Sequence, residues 1–149
     1  MKKIIISLVI LSACNLIYTY TVQKQLKQLV NALSNHHPID TANVTATMYY
    51  PVERQCDKTP LLTAGMYKIK PHKASSQKLV ALSRNLLKRW GGKFNYGDTI
   101  KITGTKHKDG IYTIADTMNK RFVNRLDFLE SVNTPMYKYS NVTITKVNS

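Results

Sequence analysis

Two acidic residues stand where acids are costly. The apolar run Ile111-Tyr112-Thr113-Ile114-Ala115 leads straight into Asp116, and Asp127 sits among Leu126, Phe128 and Leu129. Burying a charge needs compensation. A carboxyl in such a place is either a structural hydrogen-bond hub or an acid of an active site. The chemistry open to a pair of this kind is general acid–base catalysis, with apolar framing holding one proton longer than usual. Without further information the structural roles are the simpler ones. Asp116 would bond the amides of a turn, and Asp127 would cap a helical turn over Leu126–Val132.

The elements that must position these acids read as short strands. Val44–Tyr50 is rich in β-branched and aromatic residues and ends at Pro51. Thr99-Ile100-Lys101-Ile102-Thr103 and Asn141–Val147 alternate apolar and polar residues. Asp109-Gly110 is a two-residue hairpin signal between Thr99–Thr103 and Ile111–Ala115. Leu79–Leu82 is apolar, and Ser83 is placed to cap a short helix over Arg84–Trp90, stopped by Gly91-Gly92. Leu61–Gly65 reads as a short strand and turn. Short strands with turns between them and little helix indicate a small β-barrel over residues 43–149. Val44, Ala46, Ile100, Ile102, Ile114, Val142 and Ile144 are its expected core.

Residues 1–42 are of another kind. Ile4 to Val22 carries no charge and follows Lys2-Lys3. As a helix it would reach about 28 Å, close to the hydrocarbon thickness of a bilayer. An uncleaved signal anchor is the favoured reading. Leu11-Ser12-Ala13-Cys14 resembles the lipobox of bacterial lipoproteins, which gives a second reading with lipid on Cys14. A cleaved signal peptide is the third. All three place the remaining chain outside the cytoplasm, in the cell envelope. Residues 23–35 form an amphipathic helix with Leu26, Leu29, Val30 and Leu33 on one face. That face is a stalk or, alternatively, a self-association seam. His36 to Ala42 reads as a linker, with Pro38 stopping the helix.

The 149 residues are 43% hydrophobic, with a formal net charge of +14. Such a charge suits acidic partners. No arginine-rich run or nucleic-acid motif accompanies it, so no nucleic acid is expected. The two cysteines include Cys14, which leaves Cys56 alone in the folded part. The four histidines lack ligand spacing, and no metal site is expected.

Taken in order, several segments resemble the 3D family, named for three aspartates. Val44–Tyr49 is similar to its first strand. Thr63-Ala64-Gly65 is similar to its Thr-Ala-x-Gly turn, less one residue. Leu79–Ser83 stands where the family's strand leads to its first aspartate, here Ser83. Tyr96-Gly97-Asp98-Thr99-Ile100 resembles its Gly-Thr turn. Ala115-Asp116-Thr117 matches the second aspartate, and Asn124-Arg125-Leu126-Asp127 matches the Asn-Arg-Ile-Asp of the third. The usual glycine after Asp-Thr is Met118.

The resemblance implies a six-stranded double-psi β-barrel related to the catalytic domain of membrane-bound lytic transglycosylase A. It implies cleavage of peptidoglycan glycan strands between N-acetylmuramic acid and N-acetylglucosamine with a 1,6-anhydro product, and no cofactor. Asp127 would be the acid and base, assisted by Asp116. Lys58, Thr63, Ser83, Thr117 and Asn124 would line the substrate site. The alternative is a membrane-anchored barrel that binds cell-wall glycan without cutting it.

Overall fold

In the computed structural model the chain is described over residues 2–34, 40–56 and 59–147, with helix side chains over 15–31. It falls into two compact units, Met1–Pro38 and Ile39–Ser149. The first holds one α-helix, α1 (Lys2–Ser34). On it Leu26, Leu29 and Val30 are exposed. Among the described residues no helix is long and apolar enough to cross a membrane. Most of the Ile4–Val22 stretch, Cys14 included, lies outside the residues whose side chains are described.

The second unit is mostly β. Its strands are β1 (Thr41–Tyr49), β2 (Leu79–Leu82), β3 (Thr99–Thr103), β4 (Gly110–Thr117), β5 (Arg125–Leu129) and β6 (Tyr139–Lys146). They hydrogen-bond in a closed ring, in the order β1-β5-β2-β4-β3-β6. Two pairs are parallel, β1 with β5 and β2 with β4; the other four are antiparallel.

Alternation explains the ring. One side of the strands gathers Val44, Ala46, Val80, Leu82, Ile100, Ile102, Ile114, Leu126, Phe128, Val142 and Ile144 into a single core. All seven expected core residues are in it. The opposite side of β1, β2, β4 and β5 carries a second, smaller apolar cluster. There Tyr49, Leu79, Ala81, Ala115 and Leu129 pack with Ile69, Ala74 and Met118 from connecting segments. Successive strand residues face opposite ways, so one short strand can serve both clusters.

Three local expectations are corrected. Leu126–Val132 is no helical turn; its first part is strand β5, bonded to β1 on one side and β2 on the other. Leu126 and Phe128 face the main core, and pairing on both edges decides between helix and strand. The segment after Ser83 is two 3₁₀ turns, Arg84–Leu86 and Lys88–Trp90, with no side-chain cap from Ser83. Leu87 between them is extended, and it bridges to Phe94. Asp109-Gly110 is not a two-residue hairpin, because Gly110 already pairs with Ile102. The loop is longer, and Asp109 closes it by accepting from the Thr105 amide at 2.7 Å and the Thr105 hydroxyl at 2.6 Å.

A buried acid escaped the sequence reading. Glu130, at the end of β5, is 2% exposed. Its carboxylate takes an ion pair from Lys108 at 2.5 Å and a hydrogen bond from the Tyr137 hydroxyl at 2.5 Å. Burial pushes this carboxyl up, but bonds from Lys108, Ser75 and Tyr137 outweigh it and leave it below the usual glutamate value. Replacing Glu130 by Gln is expected to destabilise the domain by about 2 kcal/mol at neutral pH, as for other hydrogen bonds to a charged group. A depressed native value means that the contribution is full above the unfolded value, about 4.3. It is lost as pH falls through the native value. Urea denaturation should therefore show a wild-type advantage at pH 7 that narrows at pH 3.

Candidate active site

The register of the ring brings the two acids together. Ala81 on β2 is paired with Asp116 on β4 and with Asp127 on β5. Asp127 is in turn paired with Thr47 on β1. Thr47, Asp127, Ala81 and Asp116 thus form one row across four strands, on the side away from the main core. Ala81 separates the acids by one strand, so their Cα atoms are about 10 Å apart. Its small side chain leaves room for the carboxyls to approach one another.

A bulge sets the position of Asp116. Val80 pairs with Ile114, but Ala81 pairs with Asp116, so Ala115 is an extra residue in β4. Without it the alternation would turn Asp116 toward the apolar core. A bulge re-aims a side chain in this way. The turn Thr63-Ala64-Gly65 holds the bulge in place. The Gly65 amide donates to the Ala115 carbonyl at 2.8 Å, and the Ala64 amide donates to the Asp116 carboxyl at 3.0 Å. A Cβ on Gly65 would stand 2.7 Å from that carbonyl oxygen, so glycine is required by the close approach. The Thr117 amide adds a second bond to the same Asp116 oxygen at 2.8 Å. The Tyr49 hydroxyl reaches the other oxygen at 3.5 Å.

Asp127 is held differently. Its described hydrogen-bond donor is the Thr47 hydroxyl. Burial pushes its carboxyl above the usual aspartate value, with the Thr47 bond and the Arg125 charge opposing. Tyr49 lies close to both acids, and its phenol is pushed up by burial first and then by Asp116, Cys56 and Asp127. Asp116, Asp127 and Tyr49 open on one cavity of about 480 Å³, within the ~300–1,000 Å³ usual for small-molecule sites. Thr117, Arg84 and Arg121 also line it.

The other expected site residues are distributed unevenly. Thr117 joins the cavity wall. Thr63 is buried, and its hydroxyl accepts from the Tyr67 amide at 3.0 Å. Ser83 is fully buried, and its hydroxyl oxygen accepts from the Arg125 amide at 2.9 Å. A serine can meet that acceptor role on its own. Asn124 has a positive φ of 51° and accepts from the Asn85 amide group at 2.6 Å. It shapes the entry to β5. Lys58 lies outside the described residues. Among the described residues, no cluster of three or more His, Cys, Asp or Glu side chains is placed to hold a metal ion.

Sequence reasoning missed Thr47, Tyr49, Arg84 and Arg121 as residues of this site. Strand alternation offered one signal: Thr47 and Tyr49 face away from the core residues Ala46 and Met48. Arg84 and Arg121 lie in connecting segments that only the fold brings together. No protein-family model matches the chain, and a search of curated proteins finds no match.

The raised Asp127 carboxyl has a consequence for stability. A carboxyl whose native value exceeds its unfolded value stabilises the fold below the unfolded value, about 3.9. That contribution is lost as pH rises through the native value, so ionised Asp127 costs stability at neutral pH. Asp127→Asn is expected to raise the denaturation midpoint at pH 7 and to give no gain at pH 3. A midpoint lowered at pH 7 would mean that Asp127 is a structural hub.

Proposed function

We propose that the second unit is a double-psi β-barrel and that it cleaves peptidoglycan as a lytic transglycosylase. One observation carries the reading: Asp116 and Asp127 flank Ala81 on the wall of one cavity, in different surroundings. Two parallel strand pairs within a closed six-stranded ring are compatible with the double-psi topology. The resemblance to the three-aspartate family supplies the substrate class.

The chemistry needs one carboxyl that gives and then takes a proton. Protonated Asp127 donates to the glycosidic oxygen between N-acetylmuramic acid and N-acetylglucosamine. The C1–O bond breaks, and positive charge develops at C1. The Asp127 carboxylate then takes the proton from the C6 hydroxyl of the same muramic acid, whose oxygen bonds to C1. The products are a 1,6-anhydro end and a free 4-hydroxyl, with Asp127 protonated again and no water consumed. Burial suits Asp127 to this work, since it keeps the proton to higher pH. Asp116, fixed by the Ala64 and Thr117 amides, stabilises charge at C1, and Tyr49 steadies the pair.

We place the domain in the cell envelope, held by Ile4–Val22 as a membrane anchor or by lipid on Cys14. The uncharged stretch supports this placement, and the exposed Leu26, Leu29 and Val30 leave self-association open to the helix. A glycan-binding domain without catalysis is the second reading. The observation favouring it is Ser83, a buried hydroxyl where the family carries its first acid.

Asp127→Asn should lower cleavage of purified cell walls by at least ~10²-fold, the usual loss with a general acid. Asp116→Asn should cost less, because it removes a charge and not the proton donor. The rate should fall as pH rises through the raised Asp127 value. Mass spectrometry should find 1,6-anhydro ends. Ordinary reducing ends, one water heavier, would make the protein a hydrolase. Glycan binding with no products would leave the binding reading.

A further inference from the structure

The cavity has a basic wall as well as an acidic one. Arg84 follows Ser83 directly beyond β2, in the first 3₁₀ turn. Its guanidinium carbon lies 5.2 Å from the centroid of the Trp90 ring. Its Nε is buried and has no hydrogen-bond partner among the described residues. Buried N–H groups are nearly always paired, so an orphan one calls for an explanation. Arg121 lines the same cavity, with its guanidinium carbon 4.8 Å from the Phe122 ring centroid. The ion pairs among the described residues are Lys108 with Glu130 and Lys146 with Asp98; neither Arg84 nor Arg121 takes part in them.

We propose that Arg84 and Arg121 form an anion subsite that takes a carboxylate carried by the glycan, beside the bond that is cut. The inference rests on the glycan reading of the cavity. A guanidinium set over an aromatic ring keeps its edge free, and that edge matches a planar carboxylate with two parallel hydrogen bonds. A neutral polysaccharide would offer the two cations no charged partner. A glycan with carboxylates on every second sugar would offer one. Those carboxylates come from the lactyl ether of muramic acid itself or from a peptide attached to it. The subsite would hold the muramic acid in register, so that its C1 faces Asp127.

The test is calorimetric titration with three synthetic tetrasaccharides of alternating N-acetylglucosamine and N-acetylmuramic acid. One has free lactyl carboxylates, one has them capped as neutral methylamides, and one carries short peptides ending in carboxylates. The full-length Asp127→Asn protein is used, so that nothing is cut. A carboxylate form should bind at least ~10-fold tighter than the capped form, as for charge-assisted pairing. Adding Arg84→Gln should abolish that preference and leave the capped form unchanged. Arg84→Lys, which keeps charge but loses the flat fork, should restore only part of it. If Arg84→Gln does not melt cooperatively, Arg121→Gln is read in its place. Whether the free lactyl form or only the peptide form shows the preference identifies the carboxylate, and either supports the subsite. A preference that survives Arg84→Gln, no preference in the parent, or no binding of any form overturns it. Preference with no cleavage by the wild type would keep the subsite and remove the transglycosylase.

Discussion

Everything at this site depends on one extra residue in β4. Ala115 interrupts the pairing of β2 with β4, and through it Asp116 leaves the face of the main core and joins Asp127 beside Ala81. The bulge exposes a backbone carbonyl that needs a donor. The Gly65 amide supplies it, and the neighbouring Ala64 amide reaches the carboxyl of Asp116. A satisfied backbone and a positioned acid are therefore one arrangement. It requires the Thr63-Ala64-Gly65 turn to approach the strand closely, which only glycine at position 65 allows.

The two acids are made different by what surrounds them. Asp116 accepts from two backbone amides and the Tyr49 hydroxyl. Asp127 is half-buried, with Thr47 as its described donor, and desolvation raises its carboxyl. Pairs of acids whose environments are driven apart are a general way to divide acid and electrostatic roles. The same burial costs stability at neutral pH, which fits a residue retained for chemistry. Glu130 shows the opposite solution a few residues further along the chain. There burial is answered by Lys108 and Tyr137, and the acid becomes a structural tie between the end of β5 and two loops.

The strands were legible where alternation is strong, as in Val44–Met48, Ile100–Ile102 and Val142–Ile144. Their apolar residues can only bury on one side of a sheet. Asp116 and Asp127 were legible too, because acids at apolar strand positions are rare. The state of Leu126–Val132 was not. Leu-Asp-Phe-Leu-Glu serves a helix or a strand, and pairing with β1 and β2 decides it. Nor was the bulge, since nothing in Ile114-Ala115-Asp116 distinguishes a bulged alanine from a regular one. Glu130 was missed because its partner Lys108 stands in a loop that reads as solvated. Arg84 and Tyr49 acquire their setting through long-range packing, which spacing along the chain does not encode.

The fold half-buries Asp127, and the desolvation makes its carboxyl hold its proton longer than that of an ordinary aspartate. Carboxyl-carbon NMR of aspartate-labelled protein measures this residue by residue, with Asp127→Asn assigning the signal. Asp109, whose bonds to Thr105 hold it below the usual value, serves as an internal contrast. Asp127 is expected to titrate above the ordinary aspartate value of about 3.9 and Asp109 below it. An Asp127 signal that titrates at or below the ordinary value would contradict it.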